Sequence, residues 1–280
     1  RSTQSRSSAA SDVYKRQKLD KPYLRSYVQP TWDGSDPCGK KILVYLEQGF
    51  GDCIQFVRYV PLLVERGARV LLEYRDPLRR LFESISGVTL VKEREEQLEF
   101  DYHAAIMSLP HLFGTTLQNV PNRVPYLKPP PDTPPELQLG MAKRPRVGFV
   151  WRGNPFQGND RHRSCKLEDL LPLLNIPELE FVCLQQAPNP EEKALLDECR
   201  HVRKFTKAFA DYAETAQVIN QLDLIISIDT SVAHLCGALG KPVWVMLSFD
   251  SSWQWLLDRS DSPWYPTARL FRQAVLNDWG

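Results

Sequence analysis

The sequence predicts an α/β fold with two doubly wound, Rossmann-like lobes. Short apolar runs rich in β-branched residues alternate with segments of helical periodicity, and this alternation occurs twice along the chain. A proline-rich segment at 121–140 separates the two series. Strands that alternate with helices form parallel sheets with helices packed on their faces. The 280 residues are enough for two hydrophobic cores.

The first lobe is predicted to span residues 21–120. An apolar strand at 41–46 leads into a turn with two glycines, and a helix at 53–65 follows with its apolar residues at helical spacing. The later elements are a strand at 68–74, a helix at 77–85 and strands at 87–91 and 102–107. Because ligands of open α/β sheets bind beyond the carboxyl ends of the strands, the turn after the first strand lies at the predicted ligand edge.

A linker and a second lobe follow. Seven prolines between positions 121 and 135 disfavour regular structure and predict a stiff linker at 121–140. The second lobe, 141–280, repeats the strand and helix alternation. Its strands are predicted at 146–151, 179–185, 224–228 and 242–247. Its helices are predicted at 167–174, 190–199, 211–222 and 231–239.

Composition excludes several classes of protein. Residues 1–20 are rich in Ser and Arg and predict a disordered tail. No apolar run reaches the roughly 18–20 residues that cross a bilayer, so no membrane span is expected. The net charge of +1 gives no overall field for binding nucleic acid. The six cysteines are widely spread without a C-x-x-C pair, which favours reduced thiols and a cytoplasmic location.

The first candidate site is the turn at 47–52. Gly49 and Gly51 would let the backbone approach a ligand, and the following helix offers free N–H groups. Asp52 lies at the start of that helix, where it either caps the helix or takes part in chemistry.

A dinucleotide site is the rival interpretation of this turn. Gly49 and Gly51 fit the first half of the fingerprint G-x-G-x-x-G, and Glu73 lies where a ribose-binding acid would be. Ile54 replaces the third glycine, however, and the Asp52 carboxylate would repel a pyrophosphate. The sequence therefore disfavours NAD binding at this turn.

The second candidate site follows the strand at 224–228. Asp229 comes directly after the strand, and Thr230 and Ser231 open the next helix with their hydroxyls and free N–H groups expected to face outward. Such a helix start attracts anions. His234 lies on roughly the same side as Ser231. The alternative is a helix cap with a core histidine.

The third candidate site follows the strand at 146–151 and is rich in arginine. Arginine is always charged and binds phosphate groups with a fork of N–H donors. The polar residues of this segment are Arg152, Asn154, Arg161 and Arg163. The alternative is a solvated run of charges. Near the C-terminus, four aromatic residues could stack on a nucleobase or pack internally: Trp253, Trp255, Trp264 and Tyr265.

Together these motifs resemble glycosyltransferase family 9, the heptosyltransferase-like enzymes. The segment D-T-S-x-x-H-L-x-G-A-L-G-K-P at 229–242 resembles a strand–helix signature of that family, and E-Q-G-F-G-D at 47–52 resembles its N-terminal motif. The likeness is greatest to bacterial proteins that carry tetratricopeptide repeats before such a transferase body. They share W-R-G-N-x-x-x-x-N-D-R-x-R-S and D-S-P-W-Y-P-T-x-R-L-F-R-Q. The resemblance covers roughly residues 21–280.

The resemblance implies the GT-B fold, in which two lobes face a cleft. GT-B chains usually end with a helix that crosses back to the first lobe, so the second lobe is expected to be truncated at its end. The implied activity is inverting, metal-independent transfer of a sugar from a nucleotide-diphosphate donor to an acceptor hydroxyl of a glycan, a lipid-linked glycan or a protein. No cofactor is expected beyond the donor substrate.

The resemblance also implies residue roles. Asp52 is expected to be the catalytic base, and the donor phosphates are expected to contact Arg163, Thr230 and Ser231. Contacts with the donor sugar or nucleotide are expected from Gly49, Gly51, Arg152, Asn154, Arg161, Asp229 and His234. Two alternatives remain open. One is a nucleotide-sugar isomerase or epimerase of the same architecture, and the other is a catalytically inactive nucleotide-sugar-binding module.

Overall fold

A computed structural model describes Arg25 and residues 27–155 and 160–279. The chain divides into two compact units, residues 1–121 and 122–280, which are the first and second lobe below. The predicted tail at 1–20 lies outside the described residues. Within the described part, no helix is long and apolar enough to cross a membrane.

The first lobe holds a parallel sheet of four strands. Strands β1 to β4 are Lys41–Tyr45, Arg69–Tyr74, Val88–Lys92 and Tyr102–Ala105. Helices α1 to α4 are Phe50–Phe56, Val60–Glu65, Arg79–Phe82 and Leu109–Leu112. The strand order is β3-β2-β1-β4. The order reverses between β1 and β4, and such switch points are where open α/β sheets bind ligands.

The predicted helix at 53–65 is interrupted. It consists of α1, a 3-10 turn at Val57–Tyr59, and α2. Pro61 lies in the first turn of α2 and has no N–H to donate to the preceding turn, so the break comes where proline is tolerated. Both parts still bury an apolar face, with Ile54 and Leu63 fully enclosed.

The second lobe holds a parallel sheet of six strands. Strands β5 to β10 are Arg146–Val150, Glu180–Cys183, Val202–Arg203, Leu224–Ile228, Val243–Leu247 and Ala268–Arg272. Helices α5 to α9 are Asp160–Arg163, Leu167–Leu174, Pro190–Glu198, Tyr212–Ile219 and Ser231–Ala238. The order is β10-β9-β8-β5-β6-β7, with the switch point between β5 and β8.

The two central strands of the second lobe are apolar because both faces are covered. Every residue of β5 is buried, and so are the last four of β8. This is the pattern of a strand inside a parallel sheet. Gly148 leaves room on β5 for neighbouring side chains, since a Cβ there would lie 2.9 Å from Leu184 Cδ1. The strand ends that flank the switch point are therefore rigidly held.

The proline-rich segment at 121–140 packs on the second lobe. The backbone N–H of Tyr126 donates to Ala238 O at 3.0 Å, at the end of α9. Gln217 Nε2 of α8 donates to Asp132 O at 2.8 Å. Leu127 is buried. The segment lacks strands and long helices, as its prolines predict, but its hydrogen bonds attach it to α8 and α9.

Candidate functional site

In the first lobe, the turn after β1 is held by two side chains from the neighbouring strand. Glu73 Oε2 accepts the N–H of Leu46 at 2.9 Å, and Arg75 Nη1 donates to Gln48 O at 2.6 Å. Gln48 has a φ of 61°, a left-handed conformation that non-glycine residues rarely adopt. Such strain is found where surrounding contacts enforce it, commonly at functional sites.

Asp52 lies in the first turn of α1 at this ligand edge. Its Oδ2 accepts the N–H of Gly49 at 3.0 Å, so the carboxylate caps the helix. Gly49 has a φ of −80°, which any residue can adopt, so its backbone conformation does not by itself require glycine. Gly51 lies within α1, one residue before Asp52. This capping role is compatible with the predicted role of Asp52 as a base.

Glu73 does not have the environment that the dinucleotide hypothesis needs. Its side chain is 2% exposed and forms an ion pair with Arg25. Its two oxygens also accept the backbone N–H groups of Leu46 and Arg94, both at 2.9 Å. A carboxylate so fully bound by its own chain cannot hold a ribose. The structure therefore contradicts that interpretation of the turn.

The sequence interpretation missed Glu47 as a site residue. Glu47 is 5% exposed, and among the described residues its Oε1 has no hydrogen-bond partner. Burial, aided by the nearby Asp52 carboxylate, raises the pKa of Glu47 to about 7, against the opposing effects of the Met107 N–H and Arg25. The available signal was an acidic residue immediately after an apolar strand at the ligand edge.

In the second lobe, Arg163 joins the loops that follow β5 and β8. Its Nη1 donates to Asp229 O at 2.9 Å, and its Nε donates to Asp160 Oδ1 at 3.0 Å. The guanidinium lies against Gly153, where a Cβ would collide with Arg163 and Asp160. A side chain at Gly153 would therefore displace the Arg163–Asp160 pair, and Asp160 holds the arginine at the switch point. This places a fixed cation beside the end of β8.

Asp229 is enclosed by a cluster of aromatic side chains. His234 Nε2 lies 3.8 Å from Asp229 Oδ1, and His234 Nδ1 is 2.9 Å from the hydroxyl of Tyr265. Trp255 stacks on the His234 ring with centroids 5.1 Å apart. Burial raises the pKa of Asp229, while Trp255 and Arg163 act in the opposite direction. The carboxylate therefore has a defined orientation and limited contact with solvent.

The start of α9 differs in part from the prediction. The Thr230 side chain is buried, with its hydroxyl 3.2 Å from Ser227 Oγ, so the expectation that it faces outward is wrong. Ser231 is partly exposed, and its Oγ accepts a hydrogen bond from the hydroxyl of Tyr212 at 2.8 Å. The N–H groups at the start of α9 lie at the ligand edge as predicted, but of the two hydroxyls only that of Ser231 lies there with them.

Three further residues were predicted to contact the donor. Arg152 Nη2 is bound to Glu192 Oε2 at 3.2 Å and to Ala187 O at 3.0 Å. Arg161 is exposed and donates to His162 Nε2 at 2.9 Å. Asn154 is exposed. The structure brings together Arg163, Asp229 and His234, and donor contacts from Arg152, Asn154 and Arg161 stay predictions.

The aromatic residues near the C-terminus pack internally. Trp255 and Tyr265 are 0% and 1% exposed and form the walls around His234. Trp253 and Trp264 meet edge to face with centroids 6.4 Å apart. A nucleobase can stack only on an exposed ring face, and the rings of Trp255 and Tyr265 are buried. Their role is therefore internal packing.

Metal binding was not expected from the sequence, and the described residues hold no group of three or more His, Cys, Asp and Glu side chains placed to bind an ion. This leaves metal independence as a prediction about the reaction.

The comparison with known protein sequences gives one informative relative. No family model matches the chain. Protein FlbA of Caulobacter vibrioides is 28% identical over 274 residues. The match covers 89% of this chain and 46% of FlbA, so the chain spans less than half the length of that protein.

Solved structures show the fold. A family 9 glycosyl transferase of Veillonella parvula has a TM-score of 0.59 at 10% identity, with 86% of this chain and 88% of that chain covered. The iron-containing dodecameric glycosyltransferase TibC of enterotoxigenic E. coli has a TM-score of 0.58 at 10% identity, covering 91% and 66%. The E. coli ADP-heptose LPS heptosyltransferase II has a TM-score of 0.55 at 14% identity, covering 85% and 92%. The predicted α/β class, with two parallel-sheet lobes of the GT-B type, is confirmed.

Proposed function

We propose that this chain is a glycosyltransferase that moves a sugar from a nucleotide-diphosphate donor to an acceptor hydroxyl. The observation that carries the proposal is the fixed arginine at the switch point of the second lobe, where Arg163 contacts the Asp229 loop at the start of α9. Support comes from the shared fold, since TibC, of the same fold, has been solved in complex with ADP-D-beta-D-heptose. The nucleotide and sugar for this chain are not specified by that likeness.

The departing diphosphate is the group that this site would stabilise. It gains negative charge in the transition state, and fixed donors stabilise such charge more than mobile ones. Arg163 is fixed by Asp160 and by Asp229 O, and the first N–H groups of α9 lie at the same edge. These groups offer N–H donors to the diphosphate without a metal ion. TibC is described as iron-containing, so a chelator control belongs with every activity assay.

Asp229 is the proposed ligand of the donor sugar. A carboxylate accepts hydrogen bonds from sugar hydroxyls, and the orientation of the carboxylate decides which hydroxyls it can bind. His234, Trp255 and Tyr265 fix that orientation from the interior of the lobe.

Asp52 is the proposed general base. Its carboxylate lies at the ligand edge of the first lobe, and a base there would take the acceptor proton as the acceptor oxygen attacks the anomeric carbon. The bond to the diphosphate breaks in the same step, so the anomeric configuration inverts.

Asp52→Asn tests the chemistry. Asparagine keeps a cap acceptor for Gly49 but cannot take the proton, so we expect turnover to fall by about 100-fold or more while donor affinity stays unchanged. Asp169→Asn is the matched control, because Asp169 Oδ2 caps α6 in the same way through Lys166 N at 2.9 Å. Equal loss in both variants would mean that only the cap matters.

The donor is identified by thermal shift with a panel of nucleoside diphosphates and nucleotide sugars. A ligand at about 100 times its dissociation constant adds about 2.7 kcal/mol to the free energy of unfolding. Incubation with the stabilising sugar alone then separates the alternatives, since an isomerase converts it without acceptor. Binding with no conversion under any acceptor would identify an inactive binding module. The finer likeness to transferase bodies that follow tetratricopeptide repeats is part of this proposal.

A further inference from the structure

Glu47 is a buried acid that the proposed reaction does not yet use. It lies two residues beyond the end of β1, beside the switch point of the first lobe. It is 5% exposed, and within the described part of the chain its Oε1 has no hydrogen-bond partner. Buried polar atoms nearly always have partners, so such an exception needs a physical explanation.

Glu47 and Asp52 belong to one rigid turn. Asp52 is anchored through its bond to the Gly49 N–H, and the Cys53 thiol donates to Glu47 O at 3.6 Å. Between them, Gln48 is held in its left-handed conformation by Arg75. Both ends of the turn are therefore bonded, and the backbone that carries the two carboxyl groups is held in place.

The charges around Glu47 come from several elements. Burial and the Asp52 carboxylate raise the pKa of Glu47 to about 7, while the Met107 N–H and the Arg25 guanidinium lower it. The other titratable groups that sense Glu47 are the phenol of Tyr45 and the thiol of Cys53, and burial raises the pKa of each, so both are neutral. Asp52 is therefore the negative group with which Glu47 interacts.

We propose that Glu47 is a positioning residue for Asp52, a buried second carboxyl whose negative charge strengthens Asp52 as the base. The inference rests on the proposed function. In the transfer step the acceptor O–H bond breaks and its proton goes to Asp52, while the acceptor oxygen bonds to the anomeric carbon and the diphosphate leaves with the electrons of its bond. When Glu47 is ionised, protonation of Asp52 removes a repulsion between like charges. When Glu47 is protonated, this gain is absent.

The consequence is a rate that rises as Glu47 loses its proton. Between about pH 6 and pH 8 we expect kcat/KM of the wild type to rise about three- to tenfold, because ionised Glu47 makes Asp52 a stronger base. Glu47→Gln has the same shape without the charge, so its profile should be flat over this range and its affinity for ADP unchanged. Identical profiles for the two proteins would overturn the proposal.

A second measurement does not depend on activity. NMR of the full chain with labelled glutamate carboxyl carbons should show one carboxyl that titrates with a midpoint near 7. The signal should be missing in Glu47→Gln and should move to lower pH in Asp52→Asn, because the like charge is removed. An unchanged midpoint in Asp52→Asn would disprove the coupling and with it the proposal.

The two experiments separate the failure of this inference from failure of the proposed function. Suppose that the titrations are coupled but the wild type turns over no donor. Transferase activity and the role of Glu47 in it would then be overturned, while the coupling of the two carboxyl groups would stand. Turnover with identical pH profiles would instead keep the transferase and remove only the role of Glu47.

Discussion

Arg163 is bound to its own chain at two points, and this fixes where its charge lies. Lysine at this position would keep the charge but lose the fork that reaches Asp160 and Asp229 O together. The residue thus combines a structural and an electrostatic contribution, and substitutions can separate the two.

We expect Arg163→Ala to weaken ADP binding by about 10- to 100-fold, since a charge-assisted hydrogen bond contributes about 1.5–3 kcal/mol. Arg163→Lys should recover only part of that affinity. Isothermal titration calorimetry measures both, with Arg203→Ala as the control because Arg203 is an exposed cation on the edge strand β7. Equal affinity in all four proteins would exclude Arg163 from the donor site.

Glu47 should also make stability depend on pH. Its pKa is raised from 4.5 to about 7, so the folded state holds a proton that the unfolded chain has already lost at intermediate pH. That contribution is fully present below pH 4.5 and is lost as the pH rises through 7. The loss amounts to about 3 kcal/mol. Urea unfolding of the wild type and Glu47→Gln should show the variant gaining relative stability with rising pH, and a constant difference would contradict the shifted pKa.

At the scale of elements, α9 depends on one glycine. A Cβ on Gly237 would collide with the ring of Tyr265, whose hydroxyl bonds to His234. The helix therefore approaches the aromatic cluster as closely as a glycine allows. A shift of the Tyr265 ring would therefore move His234 and, through His234, the Asp229 carboxylate.

Gly237→Ala should destabilise the protein by about 1–3 kcal/mol through this overpacking, in spite of the better helix propensity of alanine. Chemical denaturation measures the change. Combining it with Tyr265→Ala should give less than the sum of the two single effects, because the collision partner is removed. Additive effects would show that the clash is not the cause.

Elements with strong periodicity were predicted well, and short or edge elements were not. The helix at 167–174 has the predicted bounds, and α9 ends one residue before its prediction. Strand β10 was missed. It buries alternate residues, but the exposed apolar Phe271 hides that alternation in the sequence. The two-residue strand β7 carries too little pattern to detect.

At the scale of the whole molecule, the positions of the sites were predictable but their inner contacts were not. Parallel α/β order alone places residues after β1, β5 and β8 at ligand edges. The partners that fix those residues come from distant parts of the chain. Arg25 and Glu73 are 48 positions apart, and Arg163 and Asp229 are 66 apart. Local pattern carries no information about such pairs, so the inward hydroxyl of Thr230 could not be foreseen.

If the donor binds only at the switch point of the second lobe, its effect should be local. We expect ADP to slow hydrogen exchange of backbone amides in the loops after β5 and β8 and in the first turn of α9, because ligand binding suppresses local opening. Amides of β7, at the far edge of the same sheet, should be unaffected. Mass spectrometry of the full chain provides the measurement, and uniform slowing would argue against a single local site.

The proline-rich segment has a practical consequence for dissecting this protein. Gln221 Nε2 donates to Leu137 O at 2.9 Å, and Leu127, Leu137 and Leu139 are buried. A fragment cut after residue 140 would strip an apolar covering from α8 and the end of α9 and would remove the two acceptors of the Gln217 side-chain amide. A fragment for expressing the second lobe by itself should therefore start at Asn122, so that it keeps the proline-rich segment that packs on this lobe.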